Sequence, residues 1–245
     1  MSWNIIGPLL AVLLIAAGHI LFPLIEKKYH HREQEWVSLA GGIAIAYVFL
    51  FLLPKIGDYT AAIVRNEVDG WEVMHYRLYA IALLGMLTYY LNNRLNLLHD
   101  GRHHLALAIH VTLFAFYNFT VGDLLVNIPR EGYFPYVLVG AVFALHMLGV
   151  DHQLRAVHQK GFDIWIRWVM AFSVLAGWTV GVLFRMETST LAELSAFLPG
   201  GIIVNVMTEE LPQRGKGRTL FFIGGVVLVA VLIAIVRSIT SAVSY

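Results

Sequence analysis

The chain has 245 residues, 58% hydrophobic and 13% charged, with a mean hydropathy of +0.70. Soluble domains are roughly 45–50% apolar and about 25% charged, so this composition reads as an integral membrane protein. A formal net charge of +1 gives no electrostatic ground for a nucleic-acid partner, and the lack of cysteine excludes a disulfide framework, a thiolate metal site and a cysteine nucleophile.

Crossing about 30 Å of hydrocarbon takes about 20 apolar residues in a helix. Eight stretches qualify, approximately 3–25, 37–54, 74–95, 104–126, 133–150, 164–184, 191–211 and 220–243. The first lacks a basic leader and a small-residue cleavage pattern, so it reads as a span rather than a signal peptide. Arg77 and the run Asn92-Asn93-Arg94 crowd the ends of the third and leave it a short apolar centre. The longest connection, 55–72, mixes charges without a periodic apolar pattern, so residues 1–245 read as one all-α, polytopic membrane domain that faces the lipid bilayer.

Connections alternate in charge. One side collects Lys27, Lys28, Arg32, Arg94, Arg102, Arg155, Lys160, Arg167, Arg214, Lys216 and Arg218, against Lys55, Arg65, Arg77, Arg130, Arg185 and Arg237 on the other. The bias of Lys and Arg toward cytoplasmic loops makes the first side cytoplasmic and puts both termini outside, as for a cell or inner-membrane protein. Histidines recur in two of these cytoplasmic connections, at His30-His31 and from His99 to His104.

Spans four and five carry polar side chains at depths where lipid makes them costly. On span four these are His110, Tyr117, Asn118, Thr120 and Asp123; span five has His146, with Asp151 and His152 at its end. Positions 110, 114, 117, 118 and 121 share one helical face, so His110, Tyr117 and Asn118 can look toward a common partner. Asp123 lies about 140° round the helix from Asn118 and reads as a solvated or capping residue. Asp151 and His152 read as terminating residues at the cytoplasmic mouth. His110 and His146 fall at similar depths, a geometry open to bis-histidine haem ligation.

Spans two and seven share a pattern. In each, a glycine pair near the start is followed by a closing Leu-Pro, with twelve positions from Gly42 to Pro54 and twelve from Gly200 to Pro212. This suggests an inverted repeat of spans one to three and six to eight around spans four and five, an arrangement common in secondary transporters.

The order of these motifs resembles the ZIP (Zrt-, Irt-like) family of divalent metal transporters. Members have about eight spans, both termini outside, Leu-Pro endings on spans two and seven, and a metal centre between spans four and five. The family's His-Asn-x-x-Asp/Glu-Gly pattern falls on Tyr117-Asn118-Phe119-Thr120-Val121-Gly122, and its His-Glu-x-Pro pattern falls on His146-Met147-Leu148-Gly149. The resemblance therefore implies Asn118 and His146 as surviving metal ligands, with Asp151, His152 and Glu209 as accessory ones and Tyr117 and His110 along the pathway. Carboxylates are absent at Val121, Met147 and Val150, so the metal centre is degenerate. The implied function is secondary transport of a cation by alternating access, with a divalent metal such as zinc as the substrate and no cofactor assigned. The alternative is a non-transporting scaffold, sensor or partner protein that has lost the metal centre. Gly-x-Ser-x-Gly, His-Glu-x-x-His and P-loop motifs are absent, so an enzyme is not expected, whereas a homodimer stays open.

Overall fold

The computed structural model describes residues 3–66, 73–97, 103–127, 133–184, 187–211 and 218–243. Every element among them is helical: α1 (Trp3–Tyr29), α2 (Glu33–Tyr47), α3 (Leu53–Asn66), α4 (Val73–Leu97), α5 (His103–Asn127), α6 (Phe134–Gly161), α7 (Arg167–Leu183), α8 (Thr188–Asn205) and α9 (Thr219–Val243). Four helical stretches among the described residues are long and apolar enough to cross a membrane, Asn4–Ala61, Leu107–Asn127, Phe134–Leu183 and Ser189–Thr208, with a shorter apolar helix at Thr219–Ile235. Large apolar side chains face outward, including Leu24, Leu83, Phe172 and Leu220, while His19, Asn118, His146 and Asp151 are buried. Apolar outside and polar inside is the distribution that lipid favours and water penalises. The third expected span is present as α4 but is not among the four stretches.

The helices associate as four side-by-side pairs in which numbering rises in the same direction. On α1 and α6, Gly7 abuts Tyr136, Ala11 abuts Gly140, His19 meets Asp151 and Glu26 meets His152. On α2 and α9, the Ser38 hydroxyl accepts from the Arg218 amide at 3.4 Å, and Gly42 lies against Phe222 and Val226. On α4 and α8, Arg77 pairs with Glu193, Gly85 meets Phe197, and Asn93 donates to Thr208 at 3.2 Å. On α5 and α7, Asn118 touches Met170 and Gly122 lies against Val174. Glycine brings the helix axes close enough for backbone contact. A side chain at Gly42 would strike the Phe222 carbonyl, and one at Gly200 would strike the Ala82 carbonyl of α4.

Two π-helical turns, Val48–Leu52 after α2 and Val206–Glu210 after α8, each begin six residues beyond one of these glycines. A third, Phe162–Ile166, joins α6 to α7. The expectation that Leu-Pro closes span two is corrected. Pro54 is the second residue of α3, directly after the π-helical turn Val48–Leu52, and the helix runs on to Asn66. The connection read as unpatterned is thus largely a helix, whose Ile56 packs with Leu78 of α4 and Ala192 and Ala196 of α8. Span seven does end as expected: Leu211, preceding proline, is extended at φ −66° and ψ 135°.

Candidate functional site

Three helices meet at one buried imidazole. His19 of α1, fully buried, has Nδ1 2.8 Å from Asp151 Oδ1 and 2.9 Å from Oδ2 on α6. Its Nε2 donates to Asn118 Oδ1 of α5 at 2.8 Å. With Nε2–H committed to Asn118, one further proton between Nδ1 and the carboxylate leaves the pair net neutral, which makes a carboxylate tolerable at this depth. Asp151 is therefore not a terminating residue: α6 continues ten residues beyond it to Gly161, and its side chain is 1% exposed.

Asn118 is already fully engaged. Its Oδ1 accepts from His19, while its Nδ2 donates to the Phe114 carbonyl at 3.0 Å and approaches Met170 Sδ at 3.5 Å. The expected Asn118–His146 pairing is not formed, because the amide that would ligate a metal already joins α5 to α1.

His146 lies instead in a closely packed crevice, too tight to admit a water molecule, lined by residues of α4, α5, α6 and α8. Its polar wall is made by Tyr117 of α5, His146 of α6 and Asn205 of α8, all 2–3% exposed. The Tyr117 hydroxyl, both His146 ring nitrogens and Asn205 Oδ1 have no hydrogen-bond partner among the described residues. Unsatisfied buried groups cost about 1–3 kcal/mol each, so their convergence on one crevice calls for an explanation. Tyr117 and His146 approach edge-on, with ring centroids 6.1 Å apart.

Beside the crevice, Glu210 ends the π-helical turn that follows α8, with only 3% of its surface exposed. It fills a slot made by two glycines: a Cβ on Gly149 of α6 would lie 2.7 Å from Glu210 Oε1, and one on Gly41 of α2 would lie 2.8 Å from Glu210 Cβ. The adjacent Glu209 side chain lies outside the described residues, as do the side chains of His99 to His104.

The remaining candidates separate. His110, 1% exposed, has its Nδ1 3.2 Å from His158 Nε2, where α6 leaves helical geometry at φ −130° and ψ 45°. The histidine that His110 meets is therefore His158. Asp123, 1% exposed, is neither solvated nor a cap; its carboxylate packs against Gly181 of α7. His152 belongs to an ionic cluster at the basic end of α1 and α6. Its Nδ1 is 3.1 Å from Glu26 and its Nε2 3.4 Å from Glu33, and Arg155 bridges Glu26 to Asp163. Among the described residues no group of three or more His, Asp or Glu side chains converges as a metal centre would require.

Three participants were missed from the sequence. His19 was legible as the lone ionisable residue inside the first apolar run, and Asn205 as the lone amide inside the seventh. Glu210 was seen only as a neighbour of Glu209, and its burial depends on two glycines from distant helices. No protein-family model matches the chain, and no curated protein sequence matches it.

Proposed function

We propose that this chain is a ZIP-like secondary transporter that moves a cation across the membrane by alternating access. The observation that carries the reading is the His19–Asp151 pair, held by Asn118 across three helices of a bundle whose outer surface is apolar. Ionisable residues at such depth serve ion and proton pathways far more often than they serve stability.

The helix pairing supports two inverted halves. Exchanging span one with six, two with seven, three with eight and four with five turns the α1–α6 pair into α7–α5, and the α2–α9 pair into α8–α4. Gly42 and Gly200, and the π-helical turns six residues beyond them, occupy matching places under this exchange. A bundle built this way can open to either side by rocking one set of pairs against the other. The charge bias of the connections sets the His152–Arg155 cluster on the cytoplasmic side and both termini outside.

Proteoliposomes carrying the purified chain test the reading when loaded with a pH-sensitive dye and offered zinc, manganese, iron, cobalt, sodium or potassium. Uptake of at least one cation, accompanied by proton movement and reduced at least tenfold by Asp151→Asn, is the expected result. If no cation and no proton moves, the transporter reading fails. The scaffold reading would then be preferred; the absence of a converging triad of acidic or histidine side chains among the described residues already favours it over transport of a tightly held divalent metal.

A further inference from the structure

We infer that the groove between the α1–α6 and α2–α9 pairs, at the basic end of the bundle, binds an anionic phospholipid of the cytoplasmic leaflet, with one acyl chain in the groove and the phosphate between Arg32 and Arg218. The site takes only the orientation from the reading above and stands whether or not the chain moves a cation.

The first ground is shape. α1 turns back into α2 through the 3₁₀ turn His30–Arg32, and the two helices meet through Phe22 and Trp36, edge to face with ring centroids 5.9 Å apart. Those rings help line a cavity of about 240 Å³, whose further apolar walls are Ile25 of α1, Leu39 of α2, Leu148 of α6 and Phe221 of α9. Along α1 this apolar wall runs from Phe22 to Tyr29, about 10 Å of helix. Arg32 and Glu35 close it, and the same two side chains open a second cavity of about 320 Å³ whose remaining walls are all polar, with Arg218 among them. An apolar chamber joined to a polar one fits a molecule with a chain and a head. Water needs about two to four polar partners to occupy a cavity, which the apolar chamber does not supply, whereas an acyl chain needs none. Leu24 and Leu220, next in sequence to the lining residues Ile25 and Phe221, are exposed, so the groove lies beside apolar outer surface.

The second ground is charge. Glu35 stands between the two arginines: Arg32 Nε donates to its Oε2 at 2.6 Å, and Arg218 Nε lies 3.9 Å from its Oε1. One carboxylate between two guanidiniums leaves a positive surplus. Each arginine meets Glu35 through Nε and is more than half exposed, so its terminal amino groups are available to another acceptor. Glu33, the other carboxylate of the polar chamber, is held by His30 at 3.1 Å and His152 at 3.4 Å. Lys28 adds a further cation over the Tyr29 ring, 5.4 Å from its centroid. A phosphate oxygen pair is the acceptor that paired arginine donors match, and Lys and Arg beside a membrane attract anionic headgroups. A zwitterionic lipid, by contrast, brings a cation to a rim already in positive surplus. Free phosphate satisfies the arginines but leaves the apolar chamber unfilled.

The test uses the full chain purified in detergent, with thermal unfolding as the readout. It is titrated with phosphatidylglycerol, with phosphatidylcholine of the same chains, and with glycerol phosphate, which is a head without chains. Wild type should be stabilised saturably by phosphatidylglycerol, with an apparent affinity about tenfold above that of phosphatidylcholine, and glycerol phosphate should have no effect at the same concentrations. Arg32→Gln combined with Arg218→Gln should abolish the tenfold preference. Arg94→Gln combined with Lys160→Gln, which removes two exposed cations that line neither cavity, should preserve it. Phosphatidylglycerol brominated on its chains gives a readout that leaves the arginines intact. Because Trp36 lines the groove, this lipid should quench more tryptophan emission in wild type than in Trp36→Phe, a difference that brominated phosphatidylcholine should not produce at the same concentration. Equal stabilisation by the two lipids, the same loss of preference in the Arg94 and Lys160 variant, or stabilisation by glycerol phosphate alone would each overturn the site. A dimer that the Arg32 and Arg218 variant dissolves would overturn it too, by assigning the groove to a second copy of the chain.

Discussion

Replacing Asp151 by leucine strips the carboxylate from His19 and leaves Nδ1 buried without its partner. The two side chains are 0% and 1% exposed and 2.8 Å apart, so water cannot take over the lost bond. Breaking a buried pair by removing one member typically costs about 3–5 kcal/mol. For a chain of this size, about 2–4 °C of melting temperature is lost per kcal/mol, so Asp151→Leu should lower the midpoint by roughly 6–20 °C. His19→Leu should cost a comparable amount, because it strands both the carboxylate and the Asn118 oxygen. The double variant removes both members and should recover about 2 kcal/mol relative to the sum, within the usual range for contacting residues. The assay is thermal unfolding in one detergent followed by tryptophan fluorescence, for wild type, both single variants and the double. Single-variant effects that add within about 0.5 kcal/mol would mean the two groups do not interact, and the three-helix centre would be refuted.

Gly149→Val should displace Glu210 from its slot and cost about 1–3 kcal/mol, whereas Gly224→Ala, where an added methyl meets nothing within 4 Å, should be neutral; both are read by the same unfolding assay. Pro54→Ala should change stability by less than about 1 kcal/mol, because the helix already runs through Pro54 to Asn66 rather than ending there, and circular dichroism should show no gain in helix content.

Much of the bundle was legible because lipid imposes a one-dimensional rule: about twenty apolar residues make a span, the run at 104–126 falls within α5, and the run at 133–150 falls within α6 from its second residue on. The glycines of spans two and seven were also readable, since close backbone approach needs them where these helices pair. The ends of helices were harder. Val150-Asp151-His152 looks like a boundary because charge is cheap at a membrane surface, yet α6 runs on and the Asp151 carboxylate is buried against His19, 132 residues earlier. Pro54 looked like a stop because the π-helical turn before it, which accommodates the ring, has no sequence signature. At the candidate site, the residues themselves were visible but their partners were not. Helical spacing put His110, Tyr117 and Asn118 on one face, whereas the tertiary packing sends His110 to His158, Asn118 to His19 and Tyr117 into the crevice with Asn205.

The parallel helix pairs also divide the molecule mechanically. Where Gly42 lies on the Phe222 backbone and Gly200 on that of Ala82, two helices touch main chain to main chain, without side chains that could change rotamer and let one slide. Such pairs behave as stiff girders. His19 reaches Asn118 across the boundary between two pairs, and Tyr117, His146 and Asn205 line a crevice shared by several pairs. Glu210, packed against Gly41 and Gly149, joins the end of α8 to α2 and α6 across those seams.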